Sequence, residues 1–114
     1  MLAKKNRLTG SKDFKAVEKD GKVFQFSTFG LVILDRKDNS PSRFGFIVST
    51  KIAKDAVDRN RIKRVLSETI RTSMVDLKDG LDVVFLAKTS ILKFPTDKVM
   101  KEVKIAIKES GLLK

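Results

Sequence analysis

The chain has 114 residues, with 25 Lys and Arg against 14 Asp and Glu, which gives a formal net charge of +11. An apolar share of 41% supports a modest core, so we expect one folded domain over residues 1–114 rather than a disordered polycation. The lack of Cys and His excludes disulfides and the usual zinc ligands, and no apolar run resembles a membrane span or secretory signal. We therefore expect a cytoplasmic protein that binds a polyanion and breaks no bonds itself.

The first half of the chain predicts, in order, a helix over Lys12 to Lys19, a strand region over residues 23–34, a turn at 35–42 and a strand from Arg43 to Thr50. Ser11 is a candidate cap for the helix, and Gly21 is expected to end it. The strand region predicts one long strand or two pieces bent near Gly30. The turn that follows favours a hairpin between this region and the next strand.

The second half predicts, in order, a helix from Ala53 to Met74, a turn at 78–80, a strand over Leu81 to Ala87 and a helix over Thr96 to Ser110. Residues at three- and four-residue spacing in the first of these helices form a buried stripe: Ile62, Val65, Leu66, Thr69, Ile70 and Ser73. On the last helix we expect Lys98, Lys101 and Lys108 to form only a solvated face. The order α-β-β-α-β-α predicts an α+β fold, a small two-layer α/β sandwich with a mixed sheet.

Cations are concentrated where the long helix begins. Residues 51–64 contain two acidic residues and six basic ones: Lys51, Lys54, Arg59, Arg61, Lys63 and Arg64. Arg can bridge two phosphate oxygens with its planar fork, and Asn60 could read a base edge or a 2′-hydroxyl. A solvated helix face is the ordinary alternative, but so few acids leave the cations repelling one another without a polyanion. The pattern therefore favours a phosphate-binding surface.

Two acids in this segment leave a smaller question open. Asp55 and Asp58 could meet on one helix face and hold a metal ion, although ion pairing with Arg59 or Lys54 is the more ordinary interpretation. The remaining acids are scattered singly along the chain and do not suggest a catalytic pair.

Residues 48–53 (Val-Ser-Thr-Lys-Ile-Ala) and 56–64 (Ala-Val-Asp-Arg-Asn-Arg-Ile-Lys-Arg) resemble the signature of the protein subunit of bacterial ribonuclease P. The resemblance extends over nearly the whole chain. It includes Asn6-Arg7-Leu8 before Asp13-Phe14, Arg43-Phe44-Gly45-Phe46, Asp82-Val83-Val84 and Gly111-Leu112-Leu113.

The resemblance implies a protein that assists a catalytic RNA in removing the 5′ leader of precursor tRNA, with Mg²⁺ bound mainly by the RNA. It implies a left-handed β-α-β crossover and no catalytic side chain, and it leaves metal sites on the protein unknown. Its partners would be ribonuclease P RNA and precursor tRNA, with no membrane or DNA partner. The RNA-subunit-binding residues that it implies are Lys51, Lys54, Arg59, Asn60, Arg61, Lys63 and Arg64. The leader-binding residues that it implies are Phe14, Thr50, Lys51 and Lys88.

The chain departs from the family pattern at several leader positions. Glu18 and Val32 stand where aromatic residues are usual, Thr50 where Lys or Arg is common, and Ala53 where Gly is usual. Phe14 could stack on a leader base or belong to the core beside Val17. A non-catalytic ribosomal-type RNA-binding protein remains the main alternative, because charge and size suit it equally. A major-groove DNA reader is disfavoured, because no helix immediately precedes the basic one.

Overall fold

The computed structural model describes residues 2–114. Its helices are α1 (Ser11–Asp20), α2 (Ala56–Ser73) and α3 (Thr96–Glu109), and its strands are β1 (Lys22–Gln25), β2 (Phe29–Asp35), β3 (Arg43–Ile47) and β4 (Leu81–Ala87). Short 3-10 turns lie at Lys4–Asn6, Met74–Asp76 and Thr89–Lys93. The predicted α+β class is confirmed, and so are the long helix, the last helix and the strand Leu81–Ala87. No helix within residues 2–114 is long and apolar enough to cross a membrane.

The strands form one mixed sheet in the order β1-β2-β4-β3. β4 pairs antiparallel with β2 and parallel with β3, so that Leu31 and Phe46 both lie opposite Phe85. The predicted hairpin between the strand region over residues 23–34 and β3 is therefore wrong, because β4 lies between β2 and β3. The physical reason is burial: the first five residues of β4 are all buried, and such a strand belongs in the centre of a sheet, with neighbours on both edges.

The strand region predicted over residues 23–34 is two strands, but the chain leaves the sheet at 26–28 and not at Gly30. Thr28, which is fully buried in this bend, donates its backbone N–H to Oε1 of Glu102 on α3 at 2.8 Å, and its hydroxyl donates to the same oxygen. The carbonyl of Thr28 accepts from the N–H of Lys88 at 2.9 Å. Contacts distant in sequence thus fix the bend.

Helices cover both faces of the sheet. The buried side chains of α2 and α3 pack with Phe29, Phe44 and Phe85 to form the main core. The sheet with α2 and α3 forms the two layers of the predicted α/β sandwich, and α1 adds Val17 to a smaller cluster with Val32 on the opposite face. β3, α2 and β4 form the β-α-β unit expected around the basic helix, and its left hand stays a prediction.

The beginning of α2 differs from the prediction. The helix begins at Ala56, with Asp55 at the N-cap position. Ala53 still belongs to the preceding turn, because its N–H donates to the carbonyl of Ser49. Arg59 Nη1 donates to the carbonyls of Ala53 at 2.9 Å and Lys54 at 2.7 Å. Within residues 2–114, neither Arg59 nor Lys54 forms an ion pair with Asp55 or Asp58, and no group of three or more His, Cys, Asp or Glu that could hold a metal ion is present.

The first helix also begins one residue earlier than predicted. Ser11 is its first residue and Gly10, at φ +87°, takes the N-cap position, so Ser11 does not cap the helix. Gly21 ends the helix as expected, donating its N–H to the carbonyl of Val17 at 2.8 Å.

Candidate nucleic-acid interface

A cleft of about 500 Å³ opens along the outer edge of β3, where the sheet ends. We call it the β3 cleft. Its lining comes from the amino-terminal segment, the start of α1, β3 and α2: Leu2, Arg7, Leu8, Thr9, Phe14, Phe44, Gly45, Phe46, Asn60, Lys63, Arg64 and Ser67. The structure therefore brings Phe14, expected to bind the leader, to the same cleft as three residues expected to bind the RNA subunit.

The lining of the β3 cleft carries positive charge and no acid. Arg7, Lys63 and Arg64 are its ionisable residues, and no Asp or Glu contributes among residues 2–114. Lys63 and Arg64 are exposed on α2, and the Nε of Arg7 donates to the carbonyl of Leu2 at 2.8 Å. A concave surface with one sign of charge concentrates the potential felt by a polyanion. The cleft is thus suited to phosphate groups.

Backbone atoms of β3 add neutral hydrogen-bonding groups. The carbonyl of Phe44 points away from β4 and accepts from the N–H of Leu8 at 2.9 Å. Alternate residues of a strand present their backbone groups to the same side, so the N–H and carbonyl of Phe46 point toward the cleft. The ring of Phe46 stacks on Phe85 with centroids 5.3 Å apart, which holds this part of the edge in place.

The N-terminal segment forms one wall of the β3 cleft. Asn6 is buried and its Nδ2 donates to the carbonyl of Ser42 at 2.9 Å, while Arg7 lies opposite Phe44 in an isolated parallel bridge. Arg7 was not among the predicted site residues. Its place in the Asn6-Arg7-Leu8 motif was the signal that could have identified it.

Three residues expected to bind the leader lie elsewhere. Thr50 and Lys51 are exposed in the turn that follows β3, and Lys88 follows β4, whose parallel pairing with β3 puts them at one end of the sheet. Lys88 Nζ donates to the carbonyl of Phe26 at 2.6 Å, so its ammonium is attached to the β1–β2 bend. None of the three lines the β3 cleft.

The basic residues of α2 divide between two flanks. Arg61 is exposed and lines a shallow groove toward α3, whereas Lys63 and Arg64 line the β3 cleft. Lys54 is exposed ahead of the helix, and half-buried Arg59 is held by the carbonyl groups described above. Of the four departures from the family pattern, Glu18 is exposed on α1, and Val32 is buried in a cluster with Val17 of the same helix.

The fold and the acid-free cationic cleft identify this chain as a small, basic α+β protein with a surface suited to RNA. The family model described as Ribonuclease P matches residues 2–111. The ribonuclease P protein component of Pseudanabaena sp. (strain PCC 6903) is 38% identical over 89 residues, covering 78% of this chain and 77% of that one. The component of Clostridium botulinum (strain Loch Maree / Type A3) is 34% identical over 105 residues, covering 91% and 89%. The chain belongs to the ribonuclease P protein family.

Solved structures agree on the fold. Staphylococcus aureus RNase P protein superposes with a TM-score of 0.89 at 22% identity, covering 96% of this chain and 98% of that one. Thermotoga maritima RNase P protein superposes with a TM-score of 0.80 at 24% identity, covering 90% and 96%. The chain thus functions as the protein subunit of a ribonuclease, and the ribosomal alternative is not favoured.

Proposed function

We propose that residues 1–114 act as one RNA-binding domain that docks on the catalytic RNA of ribonuclease P through α2 and holds the 5′ leader of precursor tRNA beside it. The proposed contacts to the RNA subunit are those of the basic segment: Lys51, Lys54, Arg59, Asn60, Arg61, Lys63 and Arg64. The proposed contacts to the leader are Phe14, Thr50, Lys51 and Lys88. The protein would act in the cytoplasm, with neither DNA nor a membrane as partner.

One observation carries this proposal: Phe14 and two basic residues of α2, Lys63 and Arg64, line the same acid-free cleft. An aromatic ring can stack on any base, and cations beside it can hold the phosphates of a strand without regard to sequence. Such a cleft suits a leader that differs from one precursor tRNA to the next.

Arg59 has a supporting part in this scheme. Its Nη1 donates to two backbone carbonyls of residues 53–54, so it holds the turn that carries Lys54 in front of α2. We expect Arg59 to position this turn through one nitrogen of its guanidinium and to offer the others to phosphate. Lys88 plays a similar double part, because its ammonium, attached to the β1–β2 bend, has further donors.

The expectation of Mg²⁺ comes from the family alone. Among residues 2–114 no group of three or more His, Cys, Asp or Glu side chains could hold a metal ion, so no step on the protein is derived through one. We propose that cleavage takes place on the RNA and that the protein reduces the repulsion between two RNAs, which would lower the Mg²⁺ concentration required.

The test adds the purified protein to a bacterial ribonuclease P RNA with precursor tRNA at low Mg²⁺. We expect wild-type protein to increase the cleavage rate, and Lys63→Ala with Arg64→Ala to lose most of the increase. Lys15→Ala with Lys19→Ala removes the same charge from α1 and should behave as wild type. Failure of the wild-type protein to enhance cleavage would overturn the proposal.

A further inference from the structure

A second set of cations lies on α3. Lys98, Lys101, Lys104 and Lys108 are exposed, and we call them the lysine row. On a helix rising ~1.5 Å per residue, the row extends over ~15 Å. Within residues 2–114 none of these lysines forms an ion pair. Four unpaired like charges on so short a segment repel one another, so the row needs a reason other than helix stability.

The acid that would balance the middle of the lysine row is turned inward. Glu102 follows Lys98 by four residues, a spacing at which side chains on a helix surface can pair. Its Oε1 instead accepts from the backbone N–H of Thr28 at 2.8 Å and from the Thr28 hydroxyl. The other acids of α3, Asp97 and Glu109, stand in its first and last turns. Glu102 therefore does not neutralise the charge of the lysine row.

The lysine row adjoins the basic helix. α2 and α3 pack against the same face of the sheet, and the groove between them is lined by Arg61 from one side and Phe94 and Thr96 from the other. Phe94 is 37% exposed and follows exposed Lys93. Cations with an exposed ring between them are a surface on which RNA can bind through phosphates and a stacked base. An RNA on α2 can thus reach α3.

The apolar side of α3 argues against a membrane as the partner. A helix that lies in a lipid surface inserts its apolar face, whereas the apolar face of α3 is buried in the core: Val99, Val103, Ala106 and Ile107. Ile105 is the one large apolar residue exposed on α3 within the part of the chain that the structure describes. The lysine row offers charge with little to insert, which fits RNA phosphate.

We propose that the lysine row is a second RNA-binding surface, which holds phosphates of the same structured RNA that docks on α2. The inference rests on the proposed role of α2 and extends the footprint of the RNA subunit across Phe94 to α3. Lys is suited to this part because its ammonium is a point charge that tolerates phosphates in many directions, whereas the Arg forks of α2 fix geometry.

The test measures binding of a transcribed bacterial ribonuclease P RNA over a range of KCl concentrations. The variant combines Lys101→Gln, Lys104→Gln and Lys108→Gln, and its melting temperature should equal that of wild type because these side chains are exposed. Each lost phosphate contact should reduce the log–log salt slope by ~0.7–0.9, so we expect a slope shallower by about two to three. Replacing the same three lysines by Arg should keep the wild-type slope.

The matched control combines Lys12→Gln, Lys15→Gln and Lys19→Gln, which removes the same charge from α1 on the opposite face of the sheet. It should leave the slope unchanged. An unchanged slope in the α3 variant, or an equal loss in both variants, would overturn the inference. The inference would also be overturned if the α3 variant lost binding to phosphatidylglycerol vesicles while its RNA binding stayed intact.

The Arg61→Ala, Arg64→Ala double variant separates this inference from the proposed function. If the double variant weakens RNA binding and the α3 variant does not, the lysine row alone is wrong. If the double variant binds as wild type, the role of α2 is wrong and the inference falls with it.

Discussion

The ring of Phe14 lies so close to Gly45 that no side chain fits between them. A Cβ atom at Gly45 would lie 2.5 Å from both Cε1 and Cζ of Phe14, and 3.4 Å from the Cβ of Leu8. Non-bonded carbon atoms are best separated by about 3.5–4.0 Å. Phe14 can therefore occupy its wall of the β3 cleft only because residue 45 is glycine, and β3 fixes the ring position as much as α1 does.

Gly45→Ala should therefore displace the Phe14 ring and destabilise the fold. We expect a loss of about 1–3 kcal/mol in the free energy of unfolding, measured in urea, since overpacking of this kind forces side chains from their rotamers. Binding of a single-stranded leader RNA should weaken as well. In a Phe14→Ala background the same change should cost much less, and an equal cost in both backgrounds would show that the ring contact is not the cause.

Asp82, a buried residue of β4, binds the arginine at the beginning of β3. It is 3% exposed, and its carboxylate accepts from Nε of Arg43 at 2.9 Å, from Nη2 of Arg43 at 2.7 Å and from Arg36. Asp82→Asn should lower the free energy of unfolding by about 3 kcal/mol in urea, because two partly buried guanidinium groups lose the buried carboxylate that they share and keep only exposed Asp38 and half-exposed Asp13. Asp38→Asn, at the exposed partner of Arg36, should cost far less. Equal losses would contradict this.

The inward turn of Glu102 has its own thermodynamic test. Glu102→Ala would leave the N–H and hydroxyl of buried Thr28 without their acceptor, and each unsatisfied buried donor costs about 1–3 kcal/mol. We expect this loss of stability to appear as a lower melting temperature in thermal unfolding. Glu109→Ala, at an exposed acid on the same helix, should change stability by less than about 0.5 kcal/mol. Similar effects of the two changes would mean that Glu102 does not hold the β1–β2 bend.

The ion pair of Glu68 and Arg71 makes a prediction about acid. The Arg71 guanidinium, whose Nη2 lies 2.9 Å from Oε2 of Glu68, is the largest of the causes that lower the pKa of Glu68 from 4.5 to about 2. Because the pKa falls on folding, the pair contributes its full stabilisation above 4.5 and loses it as the pH falls from 4.5 toward 2. Glu68→Gln should therefore reduce the drop in melting temperature across that window. A drop parallel to that of wild type would be inconsistent with the pair.

The helices and the central strand followed from the sequence because their signals are local. The stripe from Ile62 to Ser73 marked α2, and the apolar run in Leu81–Ala87, interrupted only by Asp82, marked a buried strand. The order of strands did not follow, since a turn at 35–42 looks the same whether the next strand pairs beside it or crosses to another edge. The same apolar run was also the available sign that β4 is central, because a strand buried on both faces belongs inside a sheet.

The sequence predicted the positive charge of the candidate site but not the full set of residues that line its cleft. Residues 51–64 indicated phosphate binding from composition alone, and the family resemblance pointed to Phe14. The β3 cleft, however, depends on the amino-terminal segment bridging to Phe44, and Arg7 enters the site through that pairing. The inward turn of Glu102 was equally invisible, because it depends on Thr28, which is 74 residues distant.

The role of α2 as the RNA-binding helix is tested most directly by the salt dependence of binding to ribonuclease P RNA. The equilibrium constant should be measured at several KCl concentrations for wild type, for Arg61→Ala with Arg64→Ala, and for Lys15→Ala with Lys19→Ala. We predict that the arginine variant binds more weakly with a log–log slope shallower by ~1.4–1.8, and that the α1 variant keeps the wild-type slope. One slope for all three proteins would contradict phosphate binding by α2.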